Sequence, residues 1–179
     1  MIGAAALGGC SLPGTQRPDG ASRLAAAEAF VDAFYSFDAQ RLNAAMSGAP
    51  ESLPRISYYQ GWAEGGNYTI VQRMPCRVED PYQVSCSVTV RDDLIQALGT
   101  GLDVTDTFHL GFDGGRIVSV RVSSNDPPEF DQAMEWVQSE RADLVDGPCR
   151  DAFEGGTTPG ECVRAMVQGF REYAARRRG

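Results

Sequence analysis

Residues 21–37, ASRLAAAEAFVDAFYSF, place Leu24, Ala27, Val31 and Phe34 at helical spacing, and Phe30 and Phe37 widen that apolar stripe. A second, shorter helix follows. Asp38 is suited to cap it, Leu42, Ala45 and Met46 form its apolar face, and Gly48 can end it. Ile56, Tyr59, Trp62 and Ala63 then predict a third helical segment stopped by Gly65 and Gly66, with a strand through RISYYQG as the alternative. From Tyr68 the period changes to two. Tyr68, Ile70, Gln72, Met74, Cys76 and Val78 share one face of a strand, and Val84, Cys86, Val88 and Val90 share a face of the next. Residues 79–83, with Pro81 among them, make the turn.

Residues 103–112 alternate Val104, Asp106, Phe108, Leu110 and Phe112 against Thr105, Thr107, His109 and Gly111. The turn Asp113-Gly114-Gly115 leads into Val118, Val120 and Val122. The prediction is an α+β domain: N-terminal helices packed on a curved, four-stranded antiparallel meander that is apolar on one side, followed by two extra C-terminal helices. Asp126-Pro127-Pro128-Glu129 predicts the start of the first of these, with Asp126 as N-cap and Glu129 closing a capping box. Thr158-Pro159-Gly160-Glu161 repeats the device. The first helix would turn Phe130, Ala133, Met134 and Val137 inward, and the second Val163, Met166, Val167, Phe170 and Tyr173.

Composition narrows the class. A chain of 179 residues, 42% hydrophobic and 22% charged, suits one globular domain, taken here as residues 21–179 after a tether at 1–20. No run approaches the ~18 apolar residues of a membrane span. A net charge of -8 argues against a general nucleic-acid binder, since the basic cluster Arg176, Arg177 and Arg178 sits where cations favour a helix C-terminus.

Residues 1–9, MIGAAALGG, are small and apolar and run directly into Cys10, so that the segment resembles a bacterial lipobox with Leu7, Gly8 and Gly9 before the cleavage site. The resemblance implies lipidation of Cys10 and an exported, membrane-anchored or periplasmic or extracellular protein. No Lys or Arg precedes Cys10, and a Gly/Ala-rich tail with an incidental cysteine is the alternative. The other cysteines form two local pairs, Cys76 with Cys86 and Cys149 with Cys162, suited to disulfides across a hairpin and around a Gly- and Thr-rich loop. Without CxxC spacing, and with a single histidine, these residues predict no metal site and no other cofactor.

The helix pair AEAFVDAFYSFDAQRLNAAM and the hairpin VTDTFHLGFDGGRIVSVRV, in that order, resemble the nuclear transport factor 2-like superfamily, which includes SnoaL-like proteins, over roughly residues 21–125. That resemblance implies a cone-shaped fold with a pocket between helices and sheet. It also implies a choice among isomerases, cyclases and hydrolases of small hydrophobic molecules, noncatalytic binders, and partner-binding domains.

Two carboxylates interrupt the apolar face: Asp106, in register with Phe108, and Asp92, in register with Val88 and Val90. A pocket aspartate in such a fold serves as a general acid or base, and burial would tune it for that work. Asp92, beside Asp93, has solvent as its alternative, and Asp106 a structural hydrogen bond at the rim. Tyr58, Tyr59, Trp62 and Phe108 are the candidate ligand-binding residues, with helix-to-sheet packing as their alternative. His109 falls on the polar face. The expected partners are a small hydrophobic ligand or another envelope protein, with pairing of two copies left open, no nucleic acid, and membrane contact through the lipid alone.

Overall fold

A computed structural model describes residues 20–150, 152 and 158–179, and Cys10 with the lipobox-like segment lies outside the described residues. The chain opens with three helices, α1 (Gly20–Phe34), α2 (Ala39–Ala45) and α3 (Leu53–Gly65). Strands β1 (Thr69–Arg73), β2 (Arg77–Asp80) and β3 (Gln83–Arg91) follow, then the short helix α4 (Asp93–Leu98) and the hairpin of β4 (Val104–Asp113) and β5 (Arg116–Ser124). Helices α5 (Pro128–Glu140), α6 (Ala142–Val145) and α7 (Gly160–Arg178) complete it. The architecture is α+β, an open antiparallel sheet of five strands with helices in both terminal regions.

The sheet follows the expected meander with one break. β3 pairs β4 along residues 83–90, and its other edge is shared by β1 against residues 88–91 and β2 against residues 83–85. The strand predicted to run unbroken from Tyr68 to Val78 is therefore two strands. Pro75 has no N–H for the ladder and stands in the interruption. Glu28 of α1 supplies what the break leaves open: its carboxylate accepts from the backbone N–H of Cys76 at 2.7 Å and pairs with Arg73, which also reaches Asp32. A bulge between Ile70 and Gln72 shifts the alternation as well. Ile70, Met74 and Val78, expected on a covered face, are 40–42% exposed, and of that set Cys76 is buried.

β3 and β4 keep a strict alternation of buried and half-covered positions. On the polar side hydroxyls pair across the strands, Ser87 with Thr107 and Thr89 with Thr105, and His109 meets Ser123 at 3.2 Å. Gly114 and Gly115 both adopt positive φ, as a two-residue hairpin of this type requires. In β5 a bulge opposite Gly111 and Phe112 makes Val118 the extra residue, so Ile117 and Val120 point inward while Val118 faces out.

Helix α1 packs on β3 through Ala27, Phe30, Val31 and Phe34, all essentially inaccessible to solvent. Asp38 caps α2 as expected, accepting from the N–H groups of Gln40 and Arg41, a contact worth about 1 kcal/mol. The two C-terminal caps differ from expectation. Pro127 and Pro159 occupy the N-cap positions of α5 and α7 and no side-chain cap bond forms at either. Asp126 instead accepts from the Ser124 hydroxyl, and Thr158 donates to the Tyr58 carbonyl, tying α7's entry to α3. At the α5–α7 crossing Gly169 lets the backbones close up, since a Cβ there would lie 2.4 Å from Val137. Both expected disulfides form, Cys76–Cys86 at the strand break and Cys149–Cys162 between the α6–α7 connection and the first turn of α7. Closing loops of this length contributes on the order of 2 to 3 kcal/mol each. They are consistent with an exported protein, and no helix among the described residues is long and apolar enough to cross a membrane.

Candidate functional site

The inward alternation of β4 carries Asp106 to the wall of a cavity of about 240 Å³ between α3, the end of β5 and the start of α5. Tyr58, Tyr59 and Trp62 all line it from α3. Tyr58 stacks on Trp62 with centroids 6.2 Å apart and meets Tyr59 edge-on at 5.4 Å, so the three form one continuous aromatic wall. Phe130 and Met134 face them from α5, which is why these two remain half-buried while Ala133 and Val137 reach the core. The helical spacing that predicted α3 thus also presents its aromatic side chains together.

Asp106 is 9% exposed. The hydroxyl of Tyr35, in the turn after α1, donates to its Oδ2 at 3.1 Å. Burial pushes the Asp106 carboxyl up to about 6; the Tyr35 hydrogen bond opposes that shift, and the negative charge of nearby Asp126 reinforces it. Near neutral pH the group is mostly ionised yet within reach of protonation. Tyr35 moves the other way in availability: burial and the adjacent carboxylate raise its pKa far out of the physiological range, so it stays a donor.

Asp126 also lines the cavity, its own pKa raised by burial and lowered by Ser124, which is the β5 partner of Asp106 in the sheet register. Tyr68, just before β1, completes the polar side. Its ring lines the cavity, and burial followed by the charges of Asp92, Asp106 and Asp126 raises its pKa well above normal. Neither Asp126 nor Tyr68 was a sequence candidate. The first is masked by its resemblance to a helix cap, the second by its place at a strand start.

Two sequence candidates fall elsewhere. Phe108 is fully buried beneath the cavity wall, against Phe34 at 4.9 Å and Phe30 at 5.4 Å, because α1 covers that stretch of β4. It shapes the site from behind. Asp92 neither lines the cavity nor leaves for solvent: it is 2% exposed and caps α4, Oδ1 accepting from Leu94 and Ile95 at 2.8 and 2.9 Å. Among the described residues its buried Oδ2 has no hydrogen-bond partner, and burial pushes this carboxyl up to about 6. His109 lies on the opposite face of the sheet, at its bond to Ser123.

Gln60 supports the site from a buried position that helical periodicity alone does not mark. Its amide donates to the carbonyls of Ala33 and Phe34, closing the end of α1 just before Tyr35. Among the described residues no three of His, Cys, Asp and Glu gather as a metal site. What the arrangement can do is hold a small molecule against aromatic surface, with carboxylates at one side to accept hydrogen bonds or a proton. No protein-family model, curated protein or solved structure matches this chain.

Proposed function

We propose that this chain is an exported small-molecule-binding domain of the nuclear transport factor 2-like type, held at the bacterial cell envelope through a lipid on Cys10. The observation that carries the reading is the cavity: one aromatic wall from α3, a second from α5, and the buried Asp106 between them. Small-molecule sites are concave, mostly apolar and furnished with a few oriented polar groups, which is this composition. The order of helices and antiparallel meander supports the superfamily placement, and the two disulfides support export.

A second reading, an acid-base enzyme on a small hydrophobic substrate, is favoured by the Asp106–Tyr35 pair. A carboxyl near 6, oriented by a hydroxyl that keeps its proton, suits a general acid or base. Binding and turnover share the cavity, and turnover adds the demand that Asp106 exchange a proton with the bound molecule.

Native mass spectrometry of the chain purified from an oxidising compartment, compared with its denatured mass, tests the binding reading. A co-purifying molecule that is lost on denaturation, and absent from Met134→Trp protein whose cavity is filled, is the expected result. Equal occupancy in the filled variant would contradict it. A bare mass in both would count against it and favour a partner-binding domain that uses the exposed Ile70, Val71 and Met74 instead.

A further inference from the structure

We infer that the ligand of this cavity carries a positively charged nitrogen, seated between the aromatic walls and the Asp106–Asp126 pair. The inference rests on the reading of the cavity as a ligand site and specifies the chemistry of its occupant. Among the described residues six aromatic rings line the space, those of Phe34, Tyr58, Tyr59, Trp62, Tyr68 and Phe130, and the charged lining residues are the acids Asp106 and Asp126. Among the described residues no basic side chain stands in the wall. Arg55, exposed on α3, sets a cation against one of these rings: its guanidinium donates to the Tyr59 hydroxyl at 2.9 Å and lies 5.5 Å from the ring centroid. Arg73 is held by Glu28 and Asp32.

Three ligand charges can be compared against that lining. An anion would approach Asp106 and Asp126 with no basic side chain among the described lining residues to meet it, and the loss of water would strengthen the repulsion. A neutral apolar molecule would satisfy the rings but strip solvent from ionised Asp106 and return nothing to it, the costliest kind of polar burial. A cation answers both sets of groups. Its charge pairs with the carboxylates, and its remaining faces lie on rings whose quadrupoles favour positive charge, as in the aromatic cages that take organic ammonium groups. Tyr35 occupies Oδ2 of Asp106 as a donor and thereby fixes the orientation of the carboxylate that the nitrogen would meet. The overall charge of -8 would also favour the approach of a cation.

The test uses the oxidised chain of residues 1–179 near neutral pH, with three probes of one shape and different charge: phenethylamine, phenethyl alcohol and phenylpropionate, titrated by calorimetry and followed by tryptophan fluorescence. The expected order is amine first, at least ~10-fold tighter than the alcohol, with the carboxylate weakest. Asp106→Asn and Asp126→Asn should each lower amine affinity toward that of the alcohol and change alcohol affinity far less. An alcohol that binds as tightly as the amine would overturn the cation inference and leave the cavity reading standing. An amine preference that survives both substitutions would also overturn it. Failure of all three probes to bind would count against the cavity reading itself.

Discussion

Asp106 and Asp92 lie on adjoining parts of one sheet layer, are both nearly inaccessible, and both have carboxyls pushed by burial up to about 6, yet they stand in opposite relations to the rest of the molecule. Asp92 spends one oxygen on the first turn of α4, and its other oxygen is enclosed by protein. Asp106 is held from the side by Tyr35 and opens onto aromatic surface. A displaced pKa here marks burial in both, and access to the cavity is what separates the candidate site from the structural cap.

The two carboxylates should behave alike in stability and differently in binding. Each folded pKa lies above the unfolded value of 3.8, so each group favours the folded state most at pH below about 4 and that contribution is lost as pH rises through about 6. Asp106→Asn and Asp92→Asn should therefore each gain stability over the parent chain between about pH 4 and pH 7, by roughly 2 to 3 kcal/mol, measurable by denaturant unfolding at the two pH values. In binding the pair should split. Phenethylamine affinity should fall about tenfold per unit as pH drops below about 6, through protonation of Asp106 within its setting of Tyr35, Tyr68, Ser124, Asp126 and Asp92. Asp106→Asn should abolish that dependence in calorimetry, and Asp92→Asn should leave it in place. Comparing Asp92→Ala with Asp92→Asn isolates the cap: both are uncharged, and the alanine protein should be less stable by about 1 kcal/mol. The smallest effect belongs to Tyr35→Phe. Loss of the donated hydrogen bond should raise the Asp106 pKa by a few tenths to about one unit in carbon-detected NMR, while Asp92 stays unchanged.

Much of this is legible in the sequence alone. Alternation along β4 placed Asp106 inward because that signal is local and runs uninterrupted, and the closeness of Tyr58, Tyr59 and Trp62 in the chain marked them as a group, although the strand alternative through RISYYQG was excluded only by the structure. The local rule failed where tertiary structure intervened. Bulges at Val71 and Val118 each add one residue and turn the following side chains over, and periodicity carries no mark of a bulge until the partner strand is known. Asp92 signals a cap only once Asp93–Leu98 is seen to be a helix, and six residues are too few for a period to emerge. Asp126 illustrates the converse. Its Asp-Pro-Pro-Glu context advertises a helix start, and the helix does begin nearby at Pro128, but the second proline shifts the cap by one residue and frees the carboxylate for the cavity. Phe108 has the right face and the wrong depth, a distinction that requires knowing how closely α1 lies over β4.

The most direct test is to observe where phenethylamine sits by measuring its intermolecular nuclear Overhauser effects to the oxidised chain. Contacts to the ring protons of Tyr58 and Trp62 and to the methyl group of Met134 are predicted, with the carboxyl carbon of Asp106 shifting in step with occupancy. Contacts confined to the exposed side chains of β1 and β2, with the Asp106 carbon unmoved, would contradict the assignment of this cavity as the binding site.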